Sequence, residues 1–126
     1  MEKHLWRKID IKGLKSNNRP CPRWGHTCCV IGDEVVFFGG YAGISLSYED
    51  SNYMNDLWTY NQKSMEWEEV ITKGAKPTNR SNCSMNYDSV NNKIVIFGGG
   101  GANKQRFNAV SVLDWQTKEW TEIVPK

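Results

Sequence analysis

The feature that most constrains this chain is an apolar segment that runs into paired glycines and occurs twice. The first copy is VVFFGG at residues 35–40, and the second is IVIFGG at residues 94–99. Each copy is followed at a distance by a tryptophan in an acidic setting, Trp67 in the first case and Trp120 in the second. Short β-type segments that recur with a period of roughly 50 to 60 residues are typical of a repeat architecture.

The composition is that of an ordinary soluble domain. The chain has 126 residues, of which 39% are hydrophobic and 24% charged, and its formal charge of +2 is too small to indicate DNA or a membrane surface as a partner. The first eight residues, MEKHLWRK, lack the apolar core of a signal peptide, so we expect a cytoplasmic location. The four cysteines lack zinc-ligand spacing and only two histidines are present, so we expect no metal or cofactor, and most of the cysteines to be small buried hydrophobes.

Turn residues divide the chain into short segments rich in Val, Ile, Phe, Tyr and Trp, which predict strands and almost no helix. One strand is isolated, at Leu5–Ile9. Two groups of four follow, and we expect each to form an up-and-down antiparallel sheet. The first group is His26–Ile31, Glu34–Phe38, Asp56–Tyr60 and Glu66–Val70; the second is Asn82–Tyr87, Lys93–Phe97, Ala109–Leu113 and Glu119–Ile123.

These elements together resemble the kelch repeat. The pattern is paired glycines after an apolar strand, a variable loop, an aromatic residue, six further residues and a tryptophan, as from Tyr60 to Trp67. The opening PRWGH at residues 22–26 also matches it. The second copy departs from the pattern, with SNC at residues 81–83, Leu113 in place of the aromatic residue and Ala109 in place of the acidic residue that Asp56 provides.

The resemblance implies an all-β fold, a partial kelch-type β-propeller with two four-stranded antiparallel blades and one extra N-terminal outer strand. The expected divisions are 1–19 for the N-terminal strand and linker, 20–73 for blade 1 and 74–126 for blade 2. In relatives a terminal strand often completes a blade from the far end of the chain, a role expected here for Leu5–Ile9. Two alternatives stay open: the rest of a longer propeller accompanies these blades, or the chain completes a ring by self-association or docks its exposed edges on another subunit.

The repeat residues have expected structural roles. Glycine permits the sharp backbone turn at a crowded strand end, a tryptophan fills the wedge between blades, and an arginine donates several hydrogen bonds that tie adjacent blades. The residues expected in these roles, with the aromatic residue of the first repeat, are Arg23, Gly39, Gly40, Tyr60, Trp67, Arg80, Gly98, Gly99 and Trp120.

The favoured function is a non-catalytic protein–protein interaction module, either a scaffold, an adaptor or an architectural subunit. Four long loops, 10–23, 39–55, 71–80 and 98–108, are expected on one face of the disc, where kelch relatives commonly hold peptides. These loops contain nine basic and three acidic residues, a net charge of +6 in a chain of +2. We hypothesise that this face binds an acidic segment of a protein partner, although the lysines could simply be solvated. The candidate partner-binding residues are Tyr41, Tyr48, Tyr53, Lys73, Lys76, Lys104 and Arg106.

The alternative function is part of a propeller-scaffold enzyme whose active site lies in blades outside this chain. Enzymatic activity is not expected from these residues themselves. The segment GGGGANKQ at residues 98–105 superficially resembles a phosphate-binding loop, but it lacks the glycine before the lysine and the Ser or Thr after it. Neither nucleic acid nor a membrane is expected as a partner.

Overall fold

The computed structural model describes residues 4–9, 18–43, 52–124 and 126. Over these residues the chain forms two sheets. The first has the order β1-β2-β3-β4 and the second has the order β5-β9-β8-β7-β6. The strands are β1 Thr27–Ile31, β2 Glu34–Tyr41, β3 Tyr53–Asn61, β4 Glu66–Glu69, β5 Lys73–Gly74, β6 Ser84–Asp88, β7 Lys93–Phe97, β8 Val110–Asp114 and β9 Glu119–Ile123.

Blade 1 is the first sheet, and its turns follow from its sequence. Gly32 adopts a positive φ of 59° in the tight hairpin between β1 and β2, so that Ile31 pairs with Glu34. At the other end of β2 the register shifts between Phe38 and Gly40, where the double glycine bends the strand. The turn after β3 is held by the Asn61 side chain, which accepts hydrogen bonds from two backbone N–H groups of the turn.

Blade 2 repeats this arrangement with β6, β7, β8 and β9. The Asp88 carboxylate accepts backbone hydrogen bonds from Val90 and Asn91 in the first turn, and Asp114 does the same for Gln116 and Thr117 in the second. The paired strands have the up-and-down antiparallel order that the sequence predicts. A 3₁₀ turn at Ala102–Lys104 lies in the loop between β7 and β8.

The structure differs from the sequence prediction in two elements. Residues 4–9 form no strand and Trp6 is fully exposed, because no strand of the described residues lies beside this segment to pair with it. Strand β5 was not predicted. It pairs in parallel with β9, so that Lys73 lies opposite Glu119 and blade 2 gains a fifth, two-residue strand at its outer edge.

The two blades stack face to face, and the core lies between them. We call the side of each sheet that carries the outer-strand tryptophan its front face, and the opposite side its back face. Val36, Phe38 and Leu57 from the back of blade 1 pack against the front of blade 2, which contributes Met85, Ile94, Ile96, Leu113 and Trp120. Strand alternation places these residues, because the partners Phe38 and Leu57 point to one side while Phe37 and Trp58 point to the other.

Main-chain hydrogen bonds join the blades near the paired-glycine corner. The Gly40 N–H donates to the Arg80 carbonyl at 2.9 Å, the Arg80 N–H donates to the Met54 carbonyl at 3.0 Å, and the Asn82 N–H donates to the Gly25 carbonyl at 2.7 Å. Each of these backbone donors is paired with an acceptor of the other blade. The hydrogen bonds therefore fix the position of the loops of one blade relative to those of the other. A helix of the length and apolarity needed to cross a bilayer is absent from the described residues.

Candidate interaction surfaces

The paired glycines of blade 1 allow backbones to approach closely at the seam. Gly39 and Gly40 have φ values of 65° and 104°, which L-residues with a side chain rarely adopt. A Cβ atom on Gly39 would lie 2.7 Å from the Arg80 carbonyl oxygen, and one on Gly40 would lie 2.9 Å from the Trp24 carbonyl oxygen. In blade 2, Gly99 has a φ of 93° and its Cβ atom would lie 2.7 Å from the Ser81 carbonyl oxygen.

Arg23 holds the corner of its own blade. Its guanidinium donates to both carboxylate oxygens of Asp56, at 2.5 and 2.9 Å, and to the Gly39 carbonyl oxygen at 3.2 Å. Trp58 Nε1 also donates to Asp56, at 2.7 Å. Burial by itself would raise the pKa of Asp56, but the hydrogen bonds from Arg23 and Trp58 outweigh it, so the pKa lies below its usual value.

Arg80 occupies the equivalent place in blade 2 with different partners. It donates to the Gly98 carbonyl oxygen at 3.1 Å and to both the carbonyl and hydroxyl oxygens of Thr78. Its guanidinium carbon lies 3.9 Å from the centre of the Phe107 ring, and burial lowers the pKa of Arg80. These arginine side chains therefore tie each corner to its own blade, whereas the main chain of Arg80 makes the link between blades that was expected from the side chain.

The two outer-strand tryptophans have different environments. Trp120 is 2% exposed, packs on Phe38 of blade 1 with ring centroids 5.9 Å apart, and donates from Nε1 to the Thr72 hydroxyl at 3.1 Å. Trp67 stacks on Phe37 and Tyr60 of its own blade, at 5.2 and 5.1 Å, and is only half-buried. Trp120 therefore fills a wedge between blades, and Trp67 lies on a front face against which no described element packs.

A cavity of about 400 Å³ opens at the end of the blades where the long loops lie. It spans the seam, since Tyr53 and Asn55 come from blade 1 whereas Ala102 and Gln105 come from blade 2. The segment that links the blades provides the remaining lining residues, Lys76, Thr78 and Asn79. Asn55 donates to the Pro77 carbonyl at 3.0 Å, which fixes the linker against β3. The cavity has amide, hydroxyl and ammonium groups and no carboxylate in its lining.

The structure brings together only some of the predicted partner-binding residues. Lys76 lines the cavity, and Lys104 and Arg106 are exposed beside Gln105 in the same loop. Lys73 lies elsewhere, because its N–H donates to the Lys118 carbonyl and its ammonium group lies 3.9 Å from the Glu119 carboxylate at the outer edge of blade 2. That position is beside the turn at residues 115–118, at the opposite end of the strands from the loops.

The tyrosines are less accessible than the sequence indicates. Tyr41 is fully buried, with ring centroids 5.4 Å from Trp24 and 4.9 Å from Tyr53, so it supports the loop surface from beneath. Tyr53 is 5% exposed and contributes to the lining of the cavity. Tyr48 lies outside the described residues. The expected exposed anchors at Tyr41 and Tyr53 are thus mainly packing residues, because the two rings shield each other at the end of the β2–β3 pair.

A second cavity, of about 230 Å³, lies on the front face of blade 1. It is lined by Pro20, Cys21, Arg23, His26, Phe37, Trp58 and Trp67. Sequence reasoning did not identify this site, although strict alternation along β2, β3 and β4 would have put Phe37, Trp58 and Trp67 on one face. It is apolar in character, since the rings of Phe37, Trp58 and Trp67 line it and the charge of Arg23 is paired with Asp56.

The cysteines are more exposed than expected. Cys21 and Cys28 are exposed, and Cys29 and Cys83 are half-buried. Cys28 is exposed because it lies on the front face of blade 1, whereas Cys29 lies on the packed back face. Burial raises the pKa of Cys29 to about 11, so its thiol is protonated at neutral pH. Within the described residues, His, Cys, Asp and Glu side chains form no group of three that could hold a metal ion.

Two four-stranded antiparallel blades of repeated design, stacked face to face about a seam of glycine corners, define the β-propeller class of repeat protein. Within that class the chain belongs to the kelch-repeat family, since the KLHDC2/KLHL20/DRC7 Kelch-repeats domain matches residues 1–126. The expectation of a partial kelch-type propeller is confirmed.

Relatives of this chain are much longer proteins. It is 34% identical over 113 residues to dynein regulatory complex subunit 7 of Chlamydomonas reinhardtii, a match that covers 90% of this chain and 9% of that protein. It is 33% identical over 132 residues to host cell factor 2 of Homo sapiens, which covers 94% of this chain and 16% of the relative. Protein ral2 of Schizosaccharomyces pombe is 31% identical over 116 residues, covering 87% and 18%. The chain thus spans less than a fifth of the length of each of these relatives.

Proposed function

We propose that this chain is a non-catalytic protein-interaction module that binds an acidic segment of a partner protein at the cavity between its two blades. The observation that carries the proposal is the lining of that cavity. Residues from both blades and from their linker meet there, with amide and hydroxyl groups and the Lys76 ammonium group available to a peptide. A site built on rigid strands but formed by loops is the usual arrangement for recognition in repeat folds.

Charge favours an acidic ligand. Lys76, Lys104 and Arg106 are exposed around the cavity, and the carboxylate at the glycine corner of blade 1, Asp56, is paired with Arg23. The other described acidic residues lie mainly on the outer strands and in the turns at the opposite end of the blades. An acidic peptide would therefore be attracted to this end and repelled from the rest of the surface.

The relatives support a role in assemblies. The name of dynein regulatory complex subunit 7 makes that protein a subunit of a complex. We extend to this chain only the general role of a scaffold or adaptor, in which blades beyond residue 126 or another subunit complete the ring. The cytoplasmic location expected from the N-terminal sequence stays a prediction.

The test uses fluorescently labelled peptides rich in Asp and Glu, each with one aromatic residue, and measures binding by fluorescence anisotropy at low and high salt. Binding should weaken at least tenfold in Lys76→Glu, because a carboxylate would then line the cavity. The matched control is Lys73→Glu, which makes the same charge change at the outer edge of blade 2 and should bind as the unmodified chain does. Equal loss in both variants, or binding that is unaffected by Lys76→Glu, would refute a site at the seam.

A further inference from the structure

The contact between the blades joins the back of blade 1 to the front of blade 2. At its centre Phe38, the residue before Gly39, packs on Trp120 with ring centroids 5.9 Å apart. Phe97 is the residue of the second repeat that is equivalent to Phe38, since each directly precedes the paired glycines. Trp67 matches Trp120 in the same way. Both halves of the buried contact therefore recur at two faces that no described strand covers, with Phe97 on the back of blade 2 and Trp67 on the front of blade 1. We call these the free faces.

These two free faces are apolar. On the back of blade 2, Phe97 is 51% exposed and Ile123 is 55% exposed, and both face away from the core. The front of blade 1 contains the 230 Å³ cavity beside Trp67 and Phe37. The equivalent position on the front of blade 2 is the one against which Phe38 packs, beside Trp120. Large apolar side chains exposed on sheet faces indicate a surface that packs against another protein surface.

The main-chain hydrogen-bonding groups at the two free faces also match those that are paired across the existing seam. Across the existing seam the Gly40 N–H donates to the Arg80 carbonyl oxygen. One repeat further on, the matching groups are the Gly99 N–H and the Arg23 carbonyl oxygen, and within the described residues neither group makes a hydrogen bond. A blade placed on the free front face by the same geometry would bring this donor and this acceptor together.

We propose that two copies of this chain associate head to tail, with the back face of blade 2 of one copy packed on the front face of blade 1 of the next. Phe97 of one copy would then occupy the cavity beside Trp67 of the next, as Phe38 lies against Trp120 within the chain. The outer edge of blade 2 already carries β9 and β5, so the contact does not need residues 4–9 of the second copy. Such a heterologous contact can repeat from one copy to the next.

Two surface variants test the contact without disturbing the core. Phe97→Glu places a charge on the back face, and Val30→Glu places one on the front face, where Val30 is exposed and matches Tyr87, which packs at the existing seam. Val90→Glu is the matched control, because Val90 is exposed in the turn between β6 and β7 and belongs to neither face. The mass of each protein is measured by light scattering and sedimentation velocity over a concentration series.

The unmodified chain and Val90→Glu should form species larger than the 14.5 kDa monomer as concentration rises. Phe97→Glu and Val30→Glu should each stay monomeric at concentrations at least tenfold higher. A mixture of these two variants is the decisive sample. Phe97→Glu keeps its front face and Val30→Glu keeps its back face, so the mixture should form one dimer and nothing larger.

A chain that stays monomeric at all concentrations would overturn the proposal, as would association that survives either face variant or a mixture that does not pair. Circular dichroism and thermal unfolding establish that each variant is folded. The outcome is independent of the proposed peptide site, because neither Phe97 nor Val30 lines the cavity between the blades. Peptide binding by a monomeric chain would leave the proposed function standing and reject self-association alone.

Discussion

Arg23 and Asp56 form a bidentate salt bridge inside blade 1, whereas the equivalent positions of blade 2 are occupied by Arg80 and Ala109. The registers of β2 with β3 and of β7 with β8 establish this equivalence, since Phe38 pairs with Leu57 as Phe97 pairs with Val110. Without a carboxylate, Arg80 lies over the ring of Phe107 and donates to Thr78 and Gly98. The arginine thus holds the glycine corner in both blades, but within the described residues only the arginine of blade 1 forms a salt bridge with a carboxylate.

Removal of the Asp56 charge should destabilise the chain. In Asp56→Asn the Arg23 guanidinium loses its counterion in a site where the two side chains are only 9% and 17% exposed, and we expect a loss of about 2 to 3 kcal/mol. The free energy of unfolding at pH 7 is measured by urea denaturation. The control is Asp33→Asn, which removes an exposed ion pair with Lys63 and should change stability by less than about 0.5 kcal/mol. Similar losses in the two variants would contradict this role for the pair.

The Asp56 contribution should also depend on pH. Because its pKa is lower in the folded chain than in the unfolded one, the stabilisation is fully present above the unfolded pKa of about 3.9 and is lost as the pH falls through the folded value. The stability difference between the unmodified chain and Asp56→Asn should therefore be constant from pH 7 to about pH 5 and shrink below about pH 4.

Urea denaturation of both proteins over this pH range measures the difference. Asp88 and Asp114 also have lowered pKa values, from hydrogen bonds donated first by the Asn91 side chain and by the Thr117 backbone respectively. Their effect is common to both proteins and cancels in the comparison. A difference that stays constant down to pH 2 would show that the Asp56 charge does not stabilise the fold.

The local pattern predicts most of the fold but not the surroundings of each side chain. Alternation and turn residues predict eight of the strands, and β7 and β9 have the predicted bounds. Strand β5 escapes prediction because Lys73-Gly74 has no strand pattern and pairs only through its backbone with β9. The burial of Tyr41 and the position of Lys73 depend on contacts between loops and blades distant in sequence, which periodicity does not encode.

The Gly39 corner should tolerate no side chain. In Gly39→Ala the new Cβ atom would lie 2.7 Å from the Arg80 carbonyl oxygen, which is backbone and is held in the seam by Gly40. We expect a loss of more than about 2 kcal/mol, the sum of an unfavourable positive φ and a forced backbone shift. Gly32→Ala is the control, since Gly32 also has a positive φ, of 59°, but a Cβ atom there meets nothing within 4 Å.

Thermal and urea unfolding of the two glycine variants separate the cost of a side chain at positive φ from the cost of the steric clash with the Arg80 carbonyl oxygen. Gly32→Ala should lose only the conformational part, about 1 kcal/mol. If Gly39→Ala lost no more than this, close approach of the two blades would not be the reason for glycine at the corner.

Trp120 should contribute more to stability than its counterpart Trp67, although both occupy the same position in the repeat. Trp120→Phe keeps an aromatic contact with Phe38 but removes the hydrogen bond to Thr72 and leaves a void between the blades, so we expect a loss of about 2 to 3 kcal/mol. Trp67→Phe removes part of a ring that is already half exposed, and should lose less than about 1 kcal/mol in the monomer. Urea denaturation at low protein concentration, where no second copy covers the front face, measures both values. Equal losses would mean that blade stacking does not determine the role of this tryptophan, and that its contacts within one sheet are enough to account for it.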